Sequence, residues 1–336
     1  MRERIFNNKW LLAAVLVLLA ILPFVGTSQF LMLMLIQVFI LAVYGMSYDL
    51  LLGYTGIVSF GHAIFFGTGA YSVGILLTKM ENPNLLFVAF LIAIVFSAVV
   101  ALLLGVLSLR VKDVYFSMIT LAFAELFFIV AEKWSSLTGG NDGIPYIRVP
   151  ELFRERVSLY FIALGFLVVM FLFLRRVVDS PLGRVLQAIR ENERRAESLG
   201  YNVLQYKLVS IVISGMVAAM AGGMWAVLQR YVSTTVFSLD QTISALLMTI
   251  IGGVGTLTGA ILGAGVITFA NEWLSSLASV HPIFERWLIF FGIIYIVIVM
   301  YFPKGIIGTI RDKWARSSER GKRDAAQTDQ RGKSVL

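Results

Sequence analysis

LLFVAFLIAIVFSAVVALLLGVLS, residues 85–108, runs for 24 positions without a charged side chain. At 1.5 Å per residue, about 20 such residues in a helix cross a hydrocarbon core about 30 Å thick. Helix is the required form, because an unpaired backbone amide in lipid costs several kcal/mol and a helix satisfies each one internally. Similar runs recur near 10–26, 30–52, 57–78, 115–131, 157–174, 207–228 and 285–302, with a broken pair at 242–277. The pattern predicts an all-α polytopic membrane protein with about ten hydrophobic helical elements, including one broken or re-entrant pair.

Composition points the same way. Hydrophobic residues make up 58% of the 336 and charged residues 14%, against about 25% charged in soluble domains. Cysteine is absent, so the redox compartment is unreadable. No residue cluster has the spacing of a catalytic metal site, and neither a cofactor nor a nucleic-acid partner is expected. Arg2, Arg4 and Lys9 precede the first run as in a signal peptide, but no small-residue cleavage site follows. That run is read as a retained span.

Basic residues give the orientation. With the N-terminus inside, the segments 1–9, 109–114, 175–207 and 303–336 hold 21 of the 28 Lys and Arg, as the positive-inside rule expects. Both termini are then cytoplasmic. Since 175–207 and the tail share one side, 242–277 must enter and return, reversing at the uncharged turn Gly252–Gly259. A transmembrane domain over 1–310 is expected, with an extracytoplasmic loop at 132–156 and a cytoplasmic loop at 175–207. The basic tail 311–336 lacks apolar periodicity and is expected to be disordered. Its Gly332-Lys333-Ser334 mimics the end of a phosphate-binding loop, but Gln327 stands where the first glycine belongs.

The longest polar interruption, DSPLGRVLQAIRENERRAESLGYNVLQYK at 179–207, is patterned for helix. Ser180 is placed to cap a helix beginning at Pro181, where proline costs no hydrogen bond. Leu182, Val185, Leu186 and Ile189 form one stripe, with Arg184, Gln187 and Glu191 opposite. Asn192 is placed to cap a second short helix, and Gly200 to close it. From the pattern alone this is either an amphipathic connector on the anionic leaflet or a docking surface for a partner.

SPLGRVLQAIRENERRAESLGYN resembles the permeases of bacterial ABC importers for branched-chain amino acids, specifically the M-type of two paired permease subunits. Further matching blocks are GYTGIVSFGHAIFFGTGAY from Gly53, YFSMITLAFAEL from Tyr115, TGGNDG from Thr138, KLVSIVISGMVAAMAGG from Lys207, IIGGVGTLTGAILGA from Ile250 and FPKGIIG from Phe302. Ile57 departs from the polar residue expected there. The resemblance implies a bacterial inner-membrane assembly with a second related permease, two cytoplasmic ATPases and an extracytoplasmic binding protein. It also implies that 175–207 couples the permease to the ATPases. Ser180, Pro181, Leu182, Gly183, Arg184, Val185, Ala188, Ile189, Arg190, Glu191 and Asn192 would form that element. Arg184 and Arg190 would then pair with ATPase acids, and Leu182, Val185 and Ile189 would fill its groove. The superfamily includes urea and short-amide permeases, which is the alternative substrate class.

Inside the spans, Gly255, Gly259 and Gly263 repeat at four-residue spacing, and Gly215 to Gly223 offer a second small-residue face. Such faces let helix backbones approach closely. Gly252, Gly253 and Gly255 equally suit an unwound helix near substrate. Glu125 lies mid-span and is expected to face the bundle interior, since a charge at the bilayer centre costs at least about 2.5 kcal/mol. Ser59, Ser117 and Thr120 are candidate path-lining hydroxyls, and His62 suits either a bond to a neighbouring helix or a substrate role. Asp49 reads as a solvated or capping group, and Glu272 lies near a span end. An ion-coupled secondary transporter using Glu125 and Glu272 is the rival class. A protease built on Ser59 and His62 lacks a third partner, His281 being the sole other histidine.

Overall fold

The computed structural model describes residues 16–24, 28–80, 82–111 and 114–278, together with 292, 300, 305, 306, 308 and 309. The described chain is helical, with one isolated antiparallel bridge between Ile144 and Val232. The long elements are α1 (Gln29–Asp49), α2 (His62–Lys79), α3 (Leu86–Ser108), α4 (Val114–Lys133) and α5 (Arg156–Asp179). Two short helices follow, α6 (Pro181–Glu191) and α7 (Glu193–Ser198), then α8 (Val203–Gln229), α9 (Leu239–Gly252) and α10 (Leu257–Ala278).

Six of the described helical segments are long and apolar enough to cross a membrane, starting at Gln29, Pro83, Val114, Arg156, Val203 and Leu257. The expected count of about ten is not reached among the described residues. Residues 10–15 and 25–26 of the first expected span and most of 285–302 lie outside them, as does the tail 311–336. Two further elements fall short for physical reasons. α2 is less apolar because most of it faces protein, with His62 through Tyr71 all buried. α9 has 14 residues, about 21 Å of helix, which reaches only part way across the core.

α1, α2 and α8 form the centre. α8 packs along α2 and α3, and α1 packs against α5, α8, α9 and α10. Small residues make the closest contacts: a Cβ on Gly69 would meet Ala219 O at 1.9 Å, and one on Gly222 would meet Phe66 O at 1.9 Å. The small-residue face of α8 is thus buried on α2, where backbone approach takes the place of a hydrophobic driving force. Hydroxyls then tie helices together: Thr55 Oγ1 to Ser210 Oγ at 2.8 Å, Ser97 Oγ to Gly215 O at 2.9 Å and Thr249 Oγ1 to Gly45 O at 3.2 Å.

Two expected boundaries move. The span expected from 57 starts at His62, because α1 runs into a wide π-helical turn at Leu50–Thr55 that Gly56 ends with φ +78°. Residues 56–61 are therefore irregular. The span expected from 207 starts at Val203, where the Asn202 side chain accepts from Gln205 N.

Candidate functional site

Local chemistry builds the α6–α7 pair. Ser180 Oγ accepts from Gly183 N, Pro181 opens α6, and Asn192 Oδ1 accepts from Arg195 N at 3.0 Å to open α7. Gly200, at φ +89°, follows α7 in the left-handed conformation that glycine adopts without strain. Gly183 sits so close to the end of α5 that a Cβ there would meet Val178 O at 2.0 Å. Lys207 Nζ and Glu193 Oε2, 2.8 Å apart, tie α7 to the start of α8.

The apolar stripe of α6 divides. Leu186 and Ile189 are buried within the chain, Ile189 in a small cluster with Ala196 and Val203 against which Val185 and Tyr206 pack. Pro181, Arg184, Gln187, Ala188 and Glu191 are exposed. The expectation that Ile189 fills a partner's groove is corrected, because it is buried in seating α6 on its own chain; Val185 is half-buried against the same cluster. Leu182, half-buried, packs on the main core.

Arg190, exposed on α6, also has a partner in its own chain. Its guanidinium donates to Gly53 O, in the wide turn after α1. Gly53 has no room for a side chain: a Cβ would lie 2.1 Å from Asp49 Oδ1 and 2.4 Å from Gly255 N. Asp49 Oδ1 accepts from Gly255 N at 2.7 Å, so the carboxylate at the end of α1 holds the turn between α9 and α10. Arg190 is the cation that faces this carboxylate, and a Cβ on Gly255 would come within 3.1 Å of Arg190 Nη1. α6, the end of α1 and the α9–α10 turn thus meet at one point.

Of the two expectations for Asp49 the solvated one is corrected, since the residue is buried, and the capping one fits its bond to Gly255 N; the partner itself was not foreseen. The available signal was the glycine turn itself. Backbone N–H groups in an uncharged turn at membrane depth need acceptors, and Asp49 is a carboxylate inside an otherwise apolar run.

α9 and α10 form an antiparallel hairpin about that turn. A Cβ on Gly252 would meet Gly259 O at 1.9 Å and one on Gly263 would meet Met248 O at 1.9 Å. Gly259 and Gly263 therefore lie in the helix contact. Gly255, with φ +79°, belongs to the turn and not to the ladder its spacing suggested. Gly253, at φ +125°, ends α9, and a Cβ on Gly305 would stand 2.4 Å from its Cα. Gly305, from the FPKGIIG block, thus lies against the same turn.

The structure places four of the five expected path residues inside the chain. Ser117 Oγ donates to Val58 O at 2.7 Å, Thr120 Oγ1 accepts from Phe60 N at 3.1 Å, and Ser59 Oγ accepts from Gly61 N at 3.3 Å. These hydroxyls staple residues 58–61, with Ser117 and Thr120 anchoring them to α4. Ser47 Oγ donates to Tyr44 O at 2.7 Å, so His62 Nε2–H is the donor in its 2.8 Å bond to Ser47. The imidazole serves a neighbouring helix and stacks on Tyr44, with ring centroids 5.3 Å apart. Glu125 contradicts expectation: it is exposed on the outer face of α4.

Residues 30–299 match the family described as branched-chain amino acid transport system, permease component. The chain belongs to this family. It is 27% identical to the high-affinity branched-chain amino acid transport permease LivM of Escherichia coli K12, over 91% of this chain and 76% of that protein. It is 24% identical to a probable LivM permease of Methanocaldococcus jannaschii, over 78% of this chain and 88% of that one. A tyrosine transport system permease of Clostridioides difficile is 26% identical over 47% of this chain and 52% of its own length. No solved structure matches. The protein is thus a multi-pass membrane permease of the branched-chain amino acid type, and α6–α7 is a feature of a transport protein.

Proposed function

We propose that this permease is one membrane-spanning subunit of an ABC importer for branched-chain or related amino acids. A binding protein delivers the substrate, a second related permease completes the path, and two cytoplasmic ATPases drive it. The carrying observation is the two-sidedness of α6: Leu186, Ile189 and Arg190 engage the chain, while Arg184, Gln187, Ala188 and Glu191 present an exposed face. That face suits docking to an ATPase on the inner side of the bilayer, with both termini cytoplasmic. Packed helices shift between discrete arrangements, so moving α6 would carry Arg190, Gly53 and the α9–α10 turn with it.

The path runs along the outer face of α4. The exposed side of α3 is apolar, with Phe87, Leu91, Val95 and Leu103 outward, and suits lipid. α4 instead exposes Glu125, whose charge at mid-membrane needs water or protein beside it. The second permease, closing a wet path against α4, provides both. Ser59, Ser117 and Thr120 shape the inner wall of that path by fixing residues 58–61.

The test is assembly. Ala188→Asp, on the exposed face, should insert normally yet lose the ATPases on purification. ATPase retention and amino-acid uptake at wild-type levels in that variant would refute the docking assignment.

A further inference from the structure

α4 is the least buried of the six candidate spans, with 28% of its apolar stretch covered by the chain, so the few contacts that hold it matter. It packs more on the short turn Thr234–Phe237, between α8 and α9, than on any helix. Phe237 supplies the centre of that contact. Its ring lies 6.2 Å from that of Phe127 on α4 and stacks on Tyr71 of α2 at 5.4 Å and 11°. Gly67 makes the room: a Cβ there would stand 2.3 Å from Phe237 Cδ1, so the ring fills the place a side chain would take. At 1.5 Å per residue, Gly67 lies about 18 Å along α2 from its Lys79 end. The ring therefore sits near the middle of a hydrocarbon core about 30 Å thick.

Two further observations make this contact releasable. Hydrogen bonds of residues 233–238 stay local: Val236 N to Ser233 O at 3.3 Å, Ser238 N to Thr235 O at 3.0 Å, Gln241 N to Ser238 O at 3.2 Å and Ser233 Oγ with Thr235 Oγ1 at 2.6 Å. Among the described residues, packing alone holds this segment to α2 and α4. Its two ends are fixed, Val232 by the bridge to Ile144 and α9 by Thr242 Oγ1, which accepts from Ala63 N at 2.9 Å. The segment can swing between them without breaking a hydrogen bond to the bundle. The second observation is the Tyr71 hydroxyl, buried in the same ring stack and without a hydrogen-bond partner among the described residues. A buried donor left unpaired raises the free energy of the seated arrangement. Water reaching that hydroxyl once the ring withdraws would remove the penalty, which brings the seated and withdrawn arrangements closer in energy than packing by itself would leave them.

Resting on the importer reading above, we propose that Phe237 is a positioning residue for transport: its ring pins α4, the wall of the proposed path, and leaves the Gly67 notch during each cycle. Ser117 and Thr120 hold the first part of α4 to residues 58–60, so release at Phe127 lets the remainder shift about that anchor. Glu125 precedes Phe127 by two positions, which on a helix puts the two side chains on opposite sides. Phe127 faces the bundle and the exposed Glu125 faces away from it. Phe237 thus acts on the path from behind, through α4, and touches no substrate. Packed elements move between discrete arrangements, and here the two are a ring seated on Gly67 and a ring withdrawn from it.

The chain has no cysteine, so a single introduced one reports on the segment. Val236→Cys, at a buried position next to Phe237 in sequence, is placed in the complete importer in proteoliposomes and treated with a membrane-impermeant maleimide while leucine uptake is measured. Labelling should be slow at rest and rise about tenfold or more with ATP and the leucine-loaded binding protein, as a minor arrangement becomes populated. Adding Phe237→Ala should make labelling fast at rest and remove most uptake, and Phe237→Leu, which refills part of the notch, should move both back toward wild type. Tyr71→Phe deletes the unpaired hydroxyl and should favour the seated ring, lowering labelling during turnover and kcat severalfold with KM unchanged. Equal labelling of Val236→Cys at rest and during active uptake overturns the pin and leaves the importer reading standing, as would wild-type labelling and uptake with Phe237→Ala. If Phe237→Ala fails to assemble, the comparison of Val236→Cys at rest and in turnover decides by itself. Absence of ATP-dependent uptake by the wild-type complex overturns the importer reading and the pin with it.

Discussion

The guanidinium of Arg190 on α6 donates to the carbonyl oxygen of Gly53, 137 residues away at the end of α1. Beside that contact, Asp49 Oδ1 holds Gly255 N at 2.7 Å. The polar helix that faces the cell interior in the proposed orientation is therefore wired to the place where the membrane helices are interrupted. A displacement of α6 reaches α1, α9 and α10 through side chains already in contact.

Arg190→Gln should separate ATP hydrolysis from transport. A hydrogen bond from a charged donor is worth about 1.5–3 kcal/mol, so loss of this one should lower uptake in proteoliposomes about tenfold or more. Arg184, Gln187, Ala188 and Glu191 are untouched, and the ATPases should remain bound. Uptake per ATP hydrolysed at the wild-type value would remove Arg190 from the coupling route.

Gly53→Ala should be among the most damaging small changes. Its methyl group would overlap Asp49 Oδ1 and Gly255 N, at 2.1 and 2.4 Å, and overpacking of this kind costs about 1–3 kcal/mol or more. Thermal unfolding in detergent should show a midpoint several degrees lower. Gly165→Ala is the control, with nothing within 4 Å of the new Cβ, and should be neutral or slightly stabilising.

Gly183→Ala should push α6 off its seat, because the methyl would lie 2.0 Å from Val178 O in the preceding helix. Membrane insertion depends on the spans and should be unaffected, while ATPase co-purification should drop. Retention of the ATPases at full stoichiometry would show that the α5–α6 joint tolerates displacement.

Glu125→Leu should leave insertion intact and, if the proposed path runs along α4, reduce uptake, since the exposed side chain holds no helix in place. The mirror change, Phe96→Glu on the lipid-suited face of α3, where Phe96 is 49% exposed, should impair stable insertion by at least about 2.5 kcal/mol. Glycosylation-tag insertion assays and uptake measurements read the two effects separately. Full uptake by Glu125→Leu would argue that α4 faces something other than the path.

The helical, membrane-spanning character was legible because it follows from short-range rules. An uncharged run such as 85–108 has no alternative to helix in lipid. The caps at Ser180 and Asn192 were equally legible, since a side-chain acceptor and the N–H it satisfies lie within three residues. The Gly215–Gly223 face was recognisable as a packing surface from its spacing alone.

Other residues were misread where their partners lie far along the chain. Asp49 reads only as a solvated or capping group because nothing near it in sequence reveals Gly255, 206 positions on. Arg190 reads as an outward charge and is exposed, but nothing near it in sequence reveals that its guanidinium also reaches Gly53. Glu125 was expected inside because a charge at the bilayer centre is costly, and nothing near it in sequence reveals that its side of α4 is left exposed by this chain.

By itself, the order of residues determined that this protein is helical, that it lives in a bilayer, and where its polar helix pair starts and stops. Each of these is settled by hydropathy over one helix length or by hydrogen bonds a few residues apart. Only the tertiary structure decided which side of α6 is turned inward, that Asp49 closes the α9–α10 turn, and that the Phe237 ring fills the notch at Gly67. Those facts depend on contacts between segments whose relative placement comes from the summed packing of many helices, and no local stretch encodes such a sum.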